Sequence, residues 1–217
     1  MPDNGYYNLF YTDKIVDDNT LYLNTAKYEY MRFNHSNDAV YDDEKMSAHT
    51  IKEVPFDILR LREEGETFYH RLYSGDKIRL KVVLDSKPIE GANLTLSTKT
   101  GWSKTIQTDK DGIAIFVLVQ DYFPEWEKFD RRHKNKFLLT ASYIQEGKGE
   151  HDGEVYENIK YTTTYTSMYY PGEKGYMSYA YGLLAAIVAM LISGFIIYWY
   201  RRRREKPFQE VNFNEKN

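Results

Sequence analysis

One stretch near the carboxyl end constrains the fold of this chain more than any other feature. Residues 176–200 read YMSYAYGLLAAIVAMLISGFIIYWY and contain no Asp, Glu, Lys or Arg. At a rise of about 1.5 Å per residue, roughly 20 to 23 helical residues span about 30 to 35 Å, the thickness of the hydrocarbon core of a bilayer. Tyrosine and tryptophan side chains at both ends of the stretch suit the membrane surface better than a protein core. The sequence therefore predicts a transmembrane helix at residues 178–200, with a buried helix of a soluble protein as the alternative.

The basic residues beside this helix predict its orientation. The helix is followed directly by Arg201, Arg202, Arg203 and Arg204, the start of a tail at residues 201–217. Because such clusters stay on the cytoplasmic side, residues 1–177 are expected outside the cell membrane. An exported domain needs an export signal, and the first residues have neither a basic start nor an apolar stretch. We therefore expect that a signal peptide is missing from this sequence, with the opposite membrane orientation as the alternative.

Composition narrows the chemistry that the outer part can perform. The chain has 217 residues and no Cys, which excludes disulfides, thiolate nucleophiles and cysteine-based metal sites. The tail holds six Lys and Arg against three Asp and Glu, so residues 1–177 must carry a net −6 for the whole chain to total −3. Nucleic acid is therefore not expected as a partner.

Residues before the helix have the pattern of a β-protein. Alternating apolar side chains predict strands at Lys77 to Leu84, at Leu94 and Leu96, at Phe137 to Tyr143 and at Ile159 to Tyr165, while the continuous apolar run Ile113 to Val119 predicts a central strand covered on both faces. Shorter strands are predicted at Tyr6 to Tyr11, Leu21 to Leu23 and Glu29 to Phe33. The predicted fold is mainly β: an immunoglobulin- or prealbumin-like β-sandwich with a short inserted helix, plus one C-terminal transmembrane helix. The expected parts are a β-rich region at 1–75, a sandwich module at 76–170 and a linker at 171–177.

Three motifs in this region resemble those of a known kind of module. Gly75-Asp76 precedes a strand, Lys87-Pro88-Ile89-Glu90-Gly91-Ala92 forms a bend, and Thr108-Asp109-Lys110-Asp111-Gly112 leads into the strand that ends in Phe116. Over residues 74–143 the pattern is similar to that of carboxypeptidase-regulatory-like and transthyretin-like sandwich modules. The resemblance implies a fold more than an activity.

A second resemblance concerns the whole architecture. A β-sandwich followed by one transmembrane helix and a basic tail, Arg201 to Arg204, resembles bacterial membrane-anchored periplasmic proteins associated with nickel or cobalt uptake. It implies a periplasmic accessory or metal-capturing component of a nickel or cobalt transport system, near a membrane permease. The alternative function is a structural or anchoring subunit of a larger membrane complex that binds no small ligand.

Candidate metal ligands are sparse. None of the five histidines pairs with another at the short spacings of metal motifs. The densest acidic and histidine group lies in a glycine-rich segment, and its candidate ligands for Ni²⁺ or Co²⁺ are His151, Asp152 and Glu154. A solvated hairpin loop is the competing interpretation, and no cofactor is predicted with certainty.

Two further segments are candidate contact sites for a protein partner. Residues 121–137 predict a short amphipathic helix, whose docking candidates are Trp126, Phe129, Arg131 and Arg132. The same helix could instead pack on the sandwich. Within the membrane span, Ala185, Ala189 and Ser193 recur every four residues, a spacing of small side chains that lets a second helix approach closely.

Motifs of the common enzyme classes are not found. The sequence has no Gly-x-Ser-x-Gly, no phosphate-binding glycine loop and no His-Glu-x-x-His. We therefore expect a protein that is not an enzyme.

Overall fold

A computed structural model of the chain describes residues 5–32, 48–66, 70–119 and 134–204. The described part is mainly β with one apolar C-terminal helix, as the sequence predicts. Two compact units divide the chain, one up to Gly172 and one from Glu173. Strands from residues 1–75 and from residues 76–170 therefore belong to the same unit.

The elements are ten strands and one helix, counted over the described residues. They are β1 (Gly5–Asp17), β2 (Thr20–Arg32), β3 (Phe56–Leu61), β4 (Lys77–Leu84), β5 (Lys87–Pro88), β6 (Asn93–Thr98), β7 (Ser103–Gln107), β8 (Ile113–Val117), β9 (Asn135–His151), β10 (Glu154–Tyr169) and α1 (Glu173–Arg204).

The strands form two sheets. The larger sheet has six strands in the order β1-β2-β10-β9-β6-β7, in which β10 pairs with β2 in parallel and all other neighbours are antiparallel. The smaller sheet is centred on β4, which pairs antiparallel with β3 on one side and with β5 and β8 on the other. Hairpins are local, but the β2–β10 pairing joins distant parts of the chain.

Both sheets contribute to one hydrophobic core. Every second side chain of β6, and of β4 as far as Val82, is buried, which is the period expected for strands with one covered face; Val83 and Leu84 at the end of β4 are both buried. The ring centroid of Phe56 in the smaller sheet lies 5.8 Å from that of Tyr161 in the larger. Burial of these alternating apolar side chains is what holds the unit together.

The prediction for the apolar run Ile113 to Val119 is wrong. In the described part of the chain, β8 pairs with β4 alone, and it alternates between buried and exposed residues. Ala114 and Phe116 face the core, whereas Ile115 and Val117 are exposed. The run is continuously apolar because its outward positions also carry apolar side chains. A continuous apolar run is the pattern expected of a strand buried on both faces, so the sequence alone does not distinguish the two cases.

The short N-terminal strands are parts of one long hairpin. β1 and β2 each span 13 residues and turn at Asp18 and Asn19, both of which have positive φ. Asn and Asp tolerate this left-handed conformation better than other non-glycine residues, and paired positive φ values are typical of two-residue hairpin turns.

The C-terminal helix α1 begins at Glu173, inside the predicted linker at 171–177, and continues to Arg204. The segment Ala180–Arg204 has 25 residues and contains an apolar stretch long enough to cross a membrane, none of which is buried inside protein.

Candidate functional site

The predicted metal ligands lie at the tip of a long hairpin rather than in a loop. Strand β9 runs to His151 and β10 starts at Glu154, so only Asp152 and Gly153 form the turn, both with positive φ. His151 pairs with Glu154 across the ladder. This geometry corrects the expectation of a glycine-rich loop: the glycines lie within β9 and at the turn.

The tip brings two of the three predicted ligands together. The His151 Nε2 atom lies 3.6 Å from the Asp152 Oδ2 atom, and the Asp152 side chain is 91% exposed. No group of three or more histidine, aspartate or glutamate side chains arranged to hold a metal ion is found among the described residues.

The predicted docking helix at residues 121–137 lies mostly outside the described residues, but its last residues, Asn135 to Phe137, belong to β9 and are not helical. Trp126, Phe129, Arg131 and Arg132 all lie outside the described residues.

The helical site residues are where the sequence predicts them. Ala185, Ala189 and Ser193 follow at four-residue intervals along α1, and all three are exposed. At the C-terminal end, the Arg203 guanidinium lies 3.8 Å from the Trp199 ring centroid, and that of Arg204 lies 4.5 Å from the Tyr200 ring centroid. Arginine over an aromatic ring is a favourable pairing at a membrane surface.

Sequence reasoning missed a buried group of charged side chains, which we call the Lys27 cluster and define as Lys27, Glu29 and Asp57. The side chains are 0%, 8% and 1% exposed, respectively. The Lys27 Nζ atom lies 3.1 Å from each Asp57 carboxylate oxygen and 3.7 Å from Glu29 Oε2. It also donates a hydrogen bond of 2.9 Å to the Ile58 carbonyl oxygen.

The two sheets position this cluster jointly. Lys27 and Glu29 belong to β2 of the larger sheet, and Asp57 belongs to β3, the end strand of the smaller sheet as described. Asp57 Oδ1 accepts a hydrogen bond of 2.7 Å from the Ile58 N–H. Lys27 therefore binds the carbonyl group of Ile58, and Asp57 binds its N–H group. Without these two side chains, both backbone groups would be buried at the edge of β3 with no hydrogen-bond partner in the described structure.

The surroundings of the cluster are apolar and aromatic. Lys27 Nζ lies 5.6 Å from the Phe10 ring centroid and 5.9 Å from that of Tyr165. Burial raises the pKa of the Glu29 carboxyl, and the Lys27 charge opposes this rise. Burial likewise raises the pKa of Asp57 against the attraction of Lys27. Both shifts mean that the site favours the protonated, uncharged form of its carboxyls more than water does.

A signal for this cluster is present in the sequence. Leu21 and Leu23 are buried, and continuing their alternation through one strand places Lys27 and Glu29 on the same inward face. The sequence pattern predicts two separate short strands, Leu21 to Leu23 and Glu29 to Phe33, and two separate strands do not imply a shared inward face. Asp57 stands inside the apolar run that contains Phe56 and Ile58, which is another position where a charge is unusual.

The opposite face of the β1–β2 hairpin is apolar and exposed. Its side chains include Leu9 and Tyr11 of β1 and Tyr28 and Tyr30 of β2. The Tyr28 and Tyr30 rings stack with centroids 6.3 Å apart. We call these four residues the tyrosine face. Clustered exposed apolar side chains of this kind are typical of interaction surfaces.

Comparison of the chain with models of protein families, with curated proteins and with solved structures found no match.

Proposed function

We propose that this chain is a single-pass protein of a bacterial cytoplasmic membrane, with its β-unit in the periplasm, and that it serves as an accessory subunit of a membrane protein complex. The observation that carries the proposal is the helix Ala180–Arg204, apolar on every side and ended by four arginines. The arginines support a cytoplasmic C-terminus because basic clusters resist transfer across the membrane. The tail at 201–217 then lies in the cytoplasm.

The immunoglobulin- or prealbumin-like form of the β-unit belongs to the same proposal. It is supported by two sheets that share one core, with alternate side chains of β4 and β6 pointing inward. Such units are common frameworks for protein contacts, although a fold alone does not determine a function.

Two surfaces support a protein partner. The small residues Ala185 and Ala189 give α1 a ridge where a second membrane helix can approach closely. The tyrosine face offers exposed apolar area on the β-unit, where Leu9 is 67% exposed. A subunit role uses both surfaces and requires no small ligand.

The experiment is purification of the tagged chain from bacterial membranes in mild detergent, followed by identification of stoichiometric partners. Substitution of Ala185 and Ala189 by Leu is expected to release a partner bound through the helix. The matched control is Gly194→Leu, a small-to-large change on the opposite side of α1, where an added Cβ meets nothing within 4 Å. Recovery of the chain alone from native membranes contradicts the subunit role.

The tyrosine face is tested in the same purification. Leu9→Ser removes an apolar side chain from this face, and Val155→Ser removes one of matched exposure, 66%, near the tip of the β9–β10 hairpin. Loss of the partner with Leu9→Ser but not with Val155→Ser is expected. Equal effects of the two changes contradict a specific role of the face.

Nickel or cobalt capture, as part of a metal transport system, is the second candidate function. The observation that favours it is the pair of a half-buried His151 and an exposed Asp152 at the hairpin tip. Isothermal titration of the purified chain with Ni²⁺, Co²⁺ and Zn²⁺ tests it, with His70→Ala as the control for His151→Ala. Saturable binding near one equivalent that only His151→Ala abolishes supports capture, and a flat titration contradicts it.

A further inference from the structure

The Lys27 cluster places an amine against a carboxyl group in an arrangement from which a covalent bond can form. Lys27 Nζ lies 3.1 Å from both Asp57 oxygens. Because the carboxyl carbon lies between these oxygens, the nitrogen is within about 3.5 Å of that carbon, a separation from which reacting atoms can approach each other. The side chains are fixed there because β2 and β3 belong to two sheets that pack on one core.

The charges of the cluster do not balance. One ammonium, Lys27, faces two carboxylates, Asp57 and Glu29. Arg60, whose charge also acts on Glu29, is held by Glu66, with its Nη2 atom 3.0 and 2.9 Å from the two Glu66 oxygens. A net buried charge is costly, so uptake of one proton by the cluster is favourable.

With that proton, all three side chains can be neutral. A proton transfer from the Lys27 ammonium to Asp57 then gives an uncharged amine, which is a nucleophile, beside an uncharged carboxyl group. Burial, which raises the pKa of both Asp57 and Glu29, favours this distribution of protons.

Glu29 is placed to move the protons. Its Oε2 atom lies 3.7 Å from Lys27 Nζ and is buried with no hydrogen-bond partner among the described residues. Its Oε1 atom accepts a hydrogen bond of 3.5 Å from the Tyr165 hydroxyl, which orients the carboxyl group. A buried carboxyl oxygen without a hydrogen bond is costly in a purely structural role, and a role in proton transfer explains it.

We propose that Lys27 and Asp57 join spontaneously in an intramolecular isopeptide bond, with Glu29 as the acid–base group. The Lys27 nitrogen attacks the Asp57 carboxyl carbon, and the protonated Glu29 donates its proton to the departing hydroxyl group. The carbon–oxygen bond breaks, one water molecule leaves, and Glu29 takes up the proton that the Lys27 nitrogen loses, so that it ends protonated as it began. Amine and carboxylic acid are converted into amide and water, so no oxidant, cofactor or co-reactant is needed.

The bond ties the larger sheet to the smaller one. It connects β2 with β3 across the core, at the edge where Lys27 and Asp57 already bind the backbone of Ile58. In a chain with no Cys, it supplies the covalent cross-link that disulfides give to other exported domains.

The experiment is intact-mass spectrometry of the full chain purified in detergent. The wild-type protein is expected to weigh one water molecule less than its sequence, and Lys27→Arg and Asp57→Ala are expected to have their full sequence mass. Glu29→Gln is expected to form the bond roughly 100-fold more slowly, the usual contribution of a proton-transferring side chain. A folded wild-type chain of full mass overturns the proposal.

A digest distinguishes the bond from other losses of water, because Asp-Gly sequences such as Asp111-Gly112 can cyclise to succinimides. Trypsin does not cut after a lysine that is blocked by an amide. The expected product is a branched peptide in which residues 15–32, uncut at Lys27, are joined to residues 53–60. The bond is contradicted if residues 15–32 and residues 53–60 are recovered as two separate peptides, or if trypsin cuts after Lys27.

Discussion

The replacement of Gly112 by Ala tests how closely the turn before β8 packs against its neighbours. Gly112 has a φ of +72°, and a Cβ atom there would lie 2.7 Å from the Val82 carbonyl oxygen and 3.0 Å from Pro88 Cβ. The left-handed backbone costs an L-residue about 1 to 2 kcal/mol. The atom nearest to the added Cβ is the Val82 carbonyl oxygen, which belongs to the backbone of β4. The strand must therefore shift, which lowers the free energy of unfolding by about 1 to 3 kcal/mol more. Alanine also reduces the conformational entropy of the unfolded chain, which stabilises the folded state by about 0.4 to 1 kcal/mol, so the free energy of unfolding is expected to fall by roughly 2 to 4 kcal/mol in total.

Gly91→Ala is the matched control. Gly91 has a similar φ of +75°, but an added Cβ meets nothing within 4 Å. Only the backbone strain and the opposing entropy effect in the unfolded chain remain, so the free energy of unfolding is expected to fall by about 1 kcal/mol. The assay is urea unfolding of the full chain in detergent, followed by circular dichroism of the β-unit. Equal free energies of unfolding for the two variants refute the close approach at Gly112.

Three other changes have defined outcomes in the same unfolding assay. Thr108→Val leaves the buried Ala92 N–H without the hydroxyl that accepts its 3.0 Å hydrogen bond, so a loss of about 1 to 3 kcal/mol is expected, and a neutral change contradicts that role. Lys27→Arg removes the proposed cross-link over a loop of roughly 30 residues, and the free energy of unfolding should fall by about 3 to 4 kcal/mol. In that variant Glu29 still has a raised pKa, so the folded state holds a proton that the unfolded state has lost, and stability falls as pH rises above roughly 4.3. Adding Glu29→Gln should lessen this decline, while Asp57, whose pKa is also raised by burial, retains part of it, and an unchanged pH dependence contradicts the burial of a titrating Glu29 carboxyl.

Strand positions could be predicted wherever one face of the strand is buried. The alternation in Lys77 to Leu84 corresponds to β4, and the apolar positions from Phe137 and from Ile159 fall within β9 and β10. The lengths of β9 and β10 could not be predicted, because the hairpin continues beyond the core as a polar ribbon held by backbone hydrogen bonds. The parallel pairing of β10 with β2 joins residues far apart in sequence, and no local pattern specifies it.

The Lys27 cluster illustrates what local sequence reasoning loses. Lysine and glutamate in a strand are ordinarily solvent-facing, so Lys27 and Glu29 were not expected in the core. Their inward direction follows from the register of Leu21 and Leu23, but only if β2 is taken as one strand of 13 residues. Their partner Asp57 comes from another sheet, and its proximity depends on tertiary packing.

The central claim is that residues 180–204 stop the chain within the membrane, with the β-unit outside and the tail inside. The chain has no Cys, so a single introduced Cys reports its own position without background. Lys99→Cys, in an exposed turn of the β-unit, and Asn217→Cys, at the end of the tail, are each expressed in bacteria behind an export signal and treated with a membrane-impermeant maleimide. The account predicts labelling at position 99 in spheroplasts and at position 217 only after permeabilisation, with both proteins retained in membranes washed with alkaline carbonate. Labelling of position 217 in intact spheroplasts, or release of the protein by the wash, contradicts it.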